Sequence, residues 1–492
     1  MGTTENQIQL KRPLILASVM LGMFLAAIEA TIVATAMPSI VSDLGGFSLY
    51  SWVFSAYLLT NAATVLVFGK LADLFGRKPI FVIGVSIFLT GSTLAGFSTS
   101  MGMLIFTRFI QGIGAGALMP IATTIVGDIY NREERAKIQG YLSAVWGISA
   151  VSGPLLGGFF VDILDWRYVF WMNIPLGLLA MLGIVIFLKE NIDKKTERVD
   201  YFGSILMMIT VSILMIILVE GGTGIPWNSF FMFGLISISI ASFILLIKQQ
   251  QISMQAMIPI ELWNYRLILM ANLTSLTTGM ITIGVTSYLP AFVQGVMGKS
   301  ATVAGFTLTT MSIGWPIAST ISGRLLLRIG YRNTSLIGGL FLVIGSLLFI
   351  FLTPAKGPVW AGFGSFFIGV GMGMTSTAFI VGIQTSVNWE IRGIATSANV
   401  FMRSLGSALG VALLGGLLNS YIQSRINQEN LGEEISVDSV NELLDGSALN
   451  MTSHAKLVLE EGLTDGLHII YIGMFVMAII SLFFIFLMPK DE

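Results

Sequence analysis

Long apolar stretches recur along nearly the whole of this 492-residue chain. About 20 consecutive apolar residues allow one helix to cross the hydrocarbon core of a bilayer. Only 11% of the residues are charged and 54% are hydrophobic, whereas an ordinary soluble chain carries about 25% charged residues. The chain therefore lacks the polar surface that several soluble domains would need, and its composition excludes a water-soluble enzyme.

Turn residues and charges divide the apolar sequence into fourteen candidate spans. The first runs from about Leu14 to Pro38 and has no clear cleavage site, so we interpret it as an uncleaved span and not as a signal peptide. The sequence thus predicts a polytopic, all-α membrane protein with fourteen transmembrane helices. The other spans lie at about residues 51–71, 79–97, 103–127, 138–161, 169–188, 202–219, 230–247, 267–293, 303–327, 336–352, 359–383, 394–418 and 468–487.

The basic residues indicate the orientation of the chain. If the N-terminus is cytoplasmic, 19 of the 26 lysines and arginines fall on the cytoplasmic side, five fall outside and two lie within spans. Cytoplasmic loops of membrane proteins carry an excess of Lys and Arg. Both termini are therefore predicted to be cytoplasmic.

The residue types exclude several kinds of chemistry. The chain has no cysteine and two histidines, which excludes disulfides, thiol catalysis and Cys-ligated zinc. The sequence contains neither a nucleophile–base constellation nor a glycine-rich phosphate loop with lysine, so it predicts no enzyme, no metal, no cofactor and no ATP-driven pump. A net charge of −1 gives no indication of nucleic-acid binding.

Internal repeats indicate how the chain is organised. Residues 69–78 (GKLADLFGRK) match residues 323–332 (GRLLLRIGYR) in register, with both glycines and two basic positions in common. A second, weaker pair aligns the fifth span with the thirteenth, and such repeats are typical of transporters. The predicted domains are an N-terminal six-helix bundle at residues 1–190, a linker with two inserted helices at residues 191–262, and a C-terminal six-helix bundle at residues 263–492.

One predicted outer loop, residues 421–466, is polar and acidic. Its scattered apolar residues, among them Val437 and Val440, are enough for short amphipathic elements but not for a core. The loop is either a solvated connector between two spans or a lid over an outward opening. The sequence leaves both interpretations open.

Five segments resemble motifs of the major facilitator superfamily, in the order in which that family carries them. Residues 69–78 are similar to its loop between the second and third spans, and residues 108–114 (RFIQGIG) to its fourth-span motif. Residues 147–158 resemble the fifth-span motif of its antiporters. Residues 29–38 (EATIVATAMP) and 165–175 (DWRYVFWMNIP) resemble signatures of the fourteen-span drug:proton antiporters, the EmrB/QacA group. The resemblance covers nearly the whole chain and implies two six-helix bundles plus two inserted helices.

Glu29 is the strongest candidate for a functional residue. It lies past the middle of the first span, where an ionised side chain costs at least about 2.5–3.5 kcal/mol unless it faces a cavity or a partner. Because burial favours the protonated carboxyl group, Glu29 can load and release a proton, and an incoming lipophilic cation would expel that proton. The alternative is a permanently protonated glutamate that hydrogen-bonds a neighbouring helix. The family usually carries Asp at this position.

Arg108 lies within the fourth span, where its guanidinium must find carbonyl groups or an anion. The resemblance implies a part in proton coupling, and the alternative is a purely structural role. Gln111 can satisfy one of the guanidinium donors and, with Glu29, is predicted to bind the substrate. Arg403 in the thirteenth span likewise has either a coupling role or a structural role, and the family resemblance supports a coupling role less strongly there.

Two glycine-containing segments are predicted to act in the conformational change. Proline kinks a helix and small residues let a neighbouring helix approach closely, so the fifth-span motif suits a seal or pivot between the halves. In the loop after the second span, charge contacts of Asp73 with Arg77 and Lys78 would hold the two halves together on the cytoplasmic side. The alternative is that the basic residues only determine the orientation of the chain in the membrane. The predicted gating residues are Gly69, Asp73, Gly76, Arg77, Lys78, Gly153, Pro154, Gly157 and Gly158.

Together the motifs imply a proton-coupled multidrug efflux antiporter that exports lipophilic, in particular cationic, compounds by alternating access. The alternative within the same fold is an exporter of an endogenous metabolite, lipid or peptide. The implied partners are small drugs, protons and the lipid bilayer, with no nucleic acid, and the chain is expected to act as a monomer. The family implies a bacterial plasma membrane.

Overall fold

The computed structural model describes residues 2–130, 132–190, 201–221, 225–252, 260–387, 389–429, 435–440 and 453–490. Within these ranges the chain is almost entirely helical, and a single β-bridge joins Gly221 to Ile225. Backbone groups in lipid have no water to bond, so helices that satisfy those groups internally are the expected solution. The all-α prediction is confirmed.

The N-terminal half consists of seven helices, of which the last two follow one another closely and make one apolar span, Tyr168–Phe187. Within this half α2 and α3 both pack on α4, and α1 packs on α5. The helices are α1 (Gly2–Leu44), α2 (Tyr50–Phe75), α3 (Arg77–Gly96), α4 (Met101–Ile129), α5 (Arg132–Ile163), α6 (Tyr168–Trp171) and α7 (Asn173–Phe187).

Two further helices, α8 (Tyr201–Glu220) and α9 (Phe230–Ile252), follow the N-terminal half. The first of them packs against α2 and against α13 of the C-terminal half, and α9 packs on α8. Near the end of α8, the Trp52 indole N–H donates to the Glu220 carboxylate at 3.0 Å. The inserted pair therefore lies beside the seam between the two halves.

The C-terminal half consists of five further helices, and a π-helical turn, Phe292–Val296, extends the first of them. Within this half α10 packs on α13, and α11 packs on α12. The helices are α10 (Arg266–Ala291), α11 (Ala301–Ile350), α12 (Gly357–Ser386), α13 (Trp389–Gln428) and α14 (Ser453–Phe486).

Twelve helices of the described chain are long and apolar enough to cross a membrane, judged by length and composition. One of them is the 50-residue α11, in which Gly330 has the non-helical angles φ 79 and ψ 175. An uninterrupted helix of that length would extend about 75 Å, more than twice the thickness of the hydrocarbon core. A shorter apolar helix, Ile205–Glu220, falls outside the twelve. The count of fourteen spans therefore stays a prediction.

The repeated loop has the same local structure in both halves. Gly76 (φ 94) and Gly330 (φ 79) occupy equivalent positions, and both adopt a backbone conformation that a β-carbon would strain. Two residues later, the Lys78 ammonium donates to the Leu188 carbonyl at 3.1 Å, beyond the end of α7. The equivalent Arg332 donates to the Phe486 carbonyl at 2.8 Å, at the end of α14. Each basic residue thus caps the last helix of its own half, where a cation is favoured.

The apolar core is shared between the halves at one end of the molecule and divided at the other. We call these the loop end, where the described residues 435–440 lie, and the terminal end, where α1 begins and α14 ends. At the loop end one buried cluster contains residues of both halves, such as Val41, Phe292 and Ile422. At the terminal end one cluster belongs to the N-terminal half and another to the C-terminal half. The halves are therefore joined at the loop end.

The described part of the acidic loop lies against this shared core. Val437 and Val440 are buried within it, and the Asp438 carboxylate accepts the Ser48 backbone N–H at 2.9 Å. Residues 430–434 and 441–452 lie outside the described part of the chain. Because the 435–440 segment touches the opposite half, it fits the interpretation as a lid better than that of a fully solvated connector, and the lid stays a prediction.

Candidate functional site

A buried ion pair lies inside the N-terminal half. Glu29 of α1 is 0% exposed and Arg108 of α4 is 1% exposed, and the guanidinium Nη1 binds the carboxylate Oε1. A charge held away from water is stable only when it is paired and hydrogen-bonded. The carboxylate thus points into the protein and not toward lipid, as the sequence analysis required.

Three helices hold the Arg108 guanidinium in place. Its Nη1 also donates to the Gln111 side-chain carbonyl at 2.7 Å, one turn further along α4. Its Nε donates to the Val53 backbone carbonyl of α2 at 3.2 Å. The guanidinium carbon lies 4.3 Å from the centroid of the Tyr57 ring, also on α2, in a cation–π contact. The structure therefore brings together the three residues that the sequence assigned to proton and substrate binding.

A side chain that the sequence analysis did not single out holds the second carboxylate oxygen. The Asn173 amide donates to Glu29 Oε2 at 2.8 Å and lies 3.0 Å from the Ser92 hydroxyl. Ser92 in turn donates to the Phe170 carbonyl at 2.8 Å. The signal in the sequence was an amide side chain two residues before Pro175 at the start of an apolar helix, within the segment that resembles the sixth-span signature.

Some polar atoms around the ion pair have no partner among the described residues. They are the Gln111 amide nitrogen, the Asn173 amide oxygen and the Tyr57 hydroxyl. Buried polar atoms are nearly always hydrogen-bonded to protein or to ordered water. The network can thus accept an additional polar group beside the carboxylate. The described residues contain no group of three or more acidic or histidine side chains that could hold a metal ion.

The glycine–proline segment of α5 lies between α1 and the opposite half. A β-carbon at Gly153 would overlap the Thr31 side chain of α1, and one at Gly157 would come close to the Ile32 carbonyl. On the other side, a β-carbon at Gly158 would overlap the backbone of Thr302 in α11. The backbone of Pro154 is equally close to Gly305 of α11. Of the predicted gating residues of α5, Pro154 and Gly158 therefore lie where the two halves meet, whereas Gly153 and Gly157 pack on α1 of their own half.

The second repeat forms the matching contact on the other side of the molecule. Gly410, the equivalent of Gly153, faces Met280 of α10, and Gly415, the equivalent of Gly158, faces Ser51 of α2. Polar contacts follow the same symmetry at the loop end, where the Asp162 carboxylate accepts from the backbone N–H (3.1 Å) and the hydroxyl of Thr302. The equivalent amide of Asn419 donates to the Ser48 carbonyl at 2.7 Å. Two related contacts thus join the halves.

The loop after α2 makes contacts within its own half. The backbone N–H groups of Arg77 and Lys78 donate to the Glu190 carboxylate at 2.8 and 3.0 Å, so an anion caps the start of α3. Gly69 has no atom within 4 Å of the place where a β-carbon would stand. The side chain of Asp73 lies outside the described residues, so the predicted latch on the terminal end stays a prediction.

These features define a class of protein. Two helical halves related by an internal repeat meet at a seam, and a buried ion pair lies inside one of them, which is the construction of a multi-pass membrane transporter. Residues 19–411 match the family model described as Major Facilitator Superfamily. The chain belongs to this superfamily, and it is a transporter and not an enzyme.

Relatives with known names support the assignment. The chain is 36% identical over 437 residues to multidrug resistance protein 3 of Bacillus subtilis (strain 168), covering 89% of this chain and 85% of that protein. It is 32% identical over 511 aligned positions to the multidrug transporter protein MdtP of the same organism, covering 98% and 94%. An efflux pump of Gibberella fujikuroi, FUS6, is 29% identical over 446 residues, covering 88% and 79%.

Solved structures share the fold at low sequence identity. The crystal structure of a bacterial homologue of the human lysosomal transporter Spinster, inward-facing and unoccupied, matches with a TM-score of 0.71 at 17% identity. It covers 97% of this chain and 96% of its own. The D-xylose–proton symporter matches with a TM-score of 0.59 at 13% identity, covering 89% and 97%. Both likenesses concern the fold alone.

Proposed function

We propose that the protein is a proton-coupled multidrug efflux antiporter, which exports lipophilic and cationic compounds in exchange for protons. The names of the two Bacillus relatives, a multidrug resistance protein and a multidrug transporter, support the drug substrates. The resemblance of residues 29–38 and 165–175 to antiporter signatures supports the exchange. Lipophilic drugs reach such a site from the membrane or the cytoplasm.

The observation that carries the proposal is the buried pair of Glu29 and Arg108. With Glu29 ionised the pair has no net charge, so a cation nearby meets no repulsion. When Glu29 binds a proton, the Arg108 charge loses its counter-ion and repels a cation, and at low dielectric this repulsion amounts to several kcal/mol. Proton and cationic drug would then exclude one another, and by linkage each lowers the affinity for the other equally.

The proposed movement is a rocking of residues 1–190 against residues 263–492, with residues 191–262 carrying the inserted pair. The contact of Gly158 with Thr302 and its counterpart at Gly415 would open at the loop end while the terminal end closes. We further propose that the terminal end is cytoplasmic in a bacterial plasma membrane and that the monomer is the working unit. Under this orientation the core that the two halves share at the loop end lies on the side away from the cytoplasm.

A transport assay on purified protein in liposomes tests the proposed function. An imposed pH gradient, acidic on the side from which protons enter, should drive ethidium the other way, because each pH unit supplies about 1.4 kcal/mol. A protonophore should abolish this movement, while ATP should have no effect. Ethidium movement that persists with the protonophore would contradict proton coupling. Liposomes in which ethidium does not move at all would favour an endogenous cargo.

The stoichiometry can be tested in the same liposomes. If one proton exchanges for one monovalent cation, no net charge crosses the membrane. A membrane potential, which supplies about 2.3 kcal/mol per charge per 100 mV, should then leave ethidium efflux unchanged. Efflux that responds to the potential would contradict the one-for-one exchange while leaving the coupling itself intact.

A further inference from the structure

Arg403 is the second arginine within a span, and its surroundings differ from those of Arg108. Whereas Arg108 is paired with a carboxylate and two carbonyl oxygens, the Arg403 guanidinium makes no hydrogen bond or ion pair to the part of the chain that the structure describes. Its described contact is a cation–π approach to Trp315 of α11, 5.6 Å from the ring centroid. The side chain is partly exposed. Intramembrane arginines usually find an anion or carbonyls, and among the described residues Arg403 contacts neither.

The contact between Arg403 and Trp315 crosses the face that the C-terminal half presents to the N-terminal half. Arg403 belongs to α13 and Trp315 to α11, the two helices of this half that pack most closely on α2 and α5. Pro316, next to Trp315, is the nearest neighbour of Gly147 on α5, 3.9 Å from the position of a β-carbon. The guanidinium therefore lies beside a helix that packs on the N-terminal half, and Trp315 packs against the core that the two halves share.

A polar cluster lies one helical turn from Arg403. The Asn399 amide donates to the Asn272 carbonyl oxygen at 3.0 Å and to the Ser275 hydroxyl at 2.9 Å, both on α10. The Asn272 amide nitrogen is buried and has no partner among the described residues. Because residues four apart lie on the same face of a helix, Asn399, which holds Asn272, shares a face of α13 with Arg403. The free Asn272 donor and the guanidinium are both suited to carboxylate oxygens.

Aromatic side chains stand on both sides of the same seam. The repeat that aligns Gly153 with Gly410 also aligns Trp146 of α5 with Arg403. Trp146 is 48% exposed, and it is the sequence neighbour of Gly147, which adjoins Pro316. The Trp315 ring beside a guanidinium that has no described ion pair can bind a flat aromatic body and its negative charge together.

We propose that Arg403 and Trp315 form a subsite for the carboxylate of aromatic substrates, so that the transporter binds zwitterionic aromatic compounds as well as cations. This inference rests on the proposed function and adds a substrate class to it. Glu29 and Arg108 would sense the cationic group, while Arg403 in the opposite half holds the anionic group. Arg403 is then a specificity residue, and cationic compounds without a carboxylate do not need it.

Two dyes with one fluorophore test this subsite. Rhodamine B carries a free carboxylate, and its ethyl ester is a lipophilic cation with the same ring system. Binding of each to the purified full-length protein is measured by fluorescence anisotropy. Arg403→Gln should weaken the binding of rhodamine B at least tenfold and change that of the ester less than twofold, and Arg403→Lys should restore part of the loss. Arg328→Gln, which removes an exposed arginine of α11, is the control and should change neither.

The outcomes separate the subsite from the proposed function. Equal weakening of both dyes by Arg403→Gln would indicate a structural role and overturn the subsite, and so would an unchanged affinity for rhodamine B. Wild-type protein that binds the ester but not rhodamine B would also overturn the subsite, while the efflux proposal would stand. Wild-type protein that binds neither dye would overturn both.

Discussion

Glu29 and Arg108 show how two neighbouring membrane spans can each contain a charge without losing stability. Each charge would be costly alone, but the guanidinium and the carboxylate bind one another, and α2 and α7 supply the remaining donors and acceptors. Breaking such a pair from one side leaves an uncompensated buried charge, which typically costs about 3–5 kcal/mol. The same dependence makes the pair sensitive to a single proton.

A double-mutant cycle measures how strongly these two residues depend on one another. Glu29→Gln and Arg108→Gln should each lower the free energy of unfolding by about 3–5 kcal/mol. The double variant should lose clearly less than the sum, because neither charge is then left alone. Unfolding of the purified protein in detergent provides the measurement.

The control for this cycle is the pair of Arg167 and Asp43, 3.0 Å apart, whose side chains are 28% and 47% exposed. Exposed pairs contribute about 0–1 kcal/mol, so the cycle of Arg167→Gln with Asp43→Asn should show little coupling. A coupling between Glu29 and Arg108 no larger than that of the exposed pair would contradict the account.

The sequence identified part of this site. Polar and charged side chains within apolar runs indicated Glu29, Arg108 and Gln111. Charges within a span are costly and are usually functional. Asn173 was not identified, since an uncharged amide two residues before a proline also suits an ordinary helix start. The substrate and coupling roles given to these residues stay predictions, because burial and distance do not measure binding.

At the scale of elements, small residues decide how closely the halves approach. The β-carbon of an alanine at Gly158 would overlap the backbone of Thr302, and a backbone cannot rotate away as a side chain can. Helix contacts in membranes depend on such small residues because lipid provides no hydrophobic drive between helices. The fifth-span motif therefore acts through its packing.

Substituting Gly158 should open the loop end. Gly158→Ala should lengthen the distance between spin labels placed at Ser100 of one half and Lys299 of the other, both exposed at the loop end. Gly102→Ala is the matched control, because nothing lies within 4 Å of its β-carbon position. An unchanged distance distribution in Gly158→Ala would argue against a seal at this contact.

The elements also show where sequence reasoning stops. Apolar length predicted the helices well, and the interval between the predicted spans at residues 303–327 and 336–352 contains the bend at Gly330. The break between α6 and α7 lies inside one predicted span, residues 169–188, because it depends on how neighbouring helices pack. The repeat placed Gly76 and Gly330 in register, and both have positive φ angles. Lys78 caps α7 within its own half, and the charge latch at Asp73 stays a prediction because the Asp73 side chain lies outside the described residues.

At the scale of the whole molecule, the two halves share a core at the loop end and have separate cores at the terminal end. The sequence predicted the two related halves and the inserted pair through the repeats. It could not predict which end is closed, since both states use the same helices and differ only in which interface residues touch.

A cross-link across the loop end should stop transport. Asp162 and Thr302 contact one another between the halves, and the chain contains no cysteine that would interfere. Asp162→Cys with Thr302→Cys should form a disulfide under mild oxidation, abolish ethidium transport and regain it on reduction. The two single-cysteine variants are the controls. Full transport by the cross-linked protein would show that the loop end does not open during the cycle.

Drug-induced proton release from purified protein tests the central claim most directly. Ethidium is added to the protein in weakly buffered detergent, and a pH-sensitive dye reports the protons set free. The account predicts release of about one proton per bound ethidium at saturation, if Glu29 starts protonated, retention of this release in Glu29→Asp and its loss in Glu29→Gln. Undiminished release from Glu29→Gln would contradict it, because the exchanged proton would then come from another group.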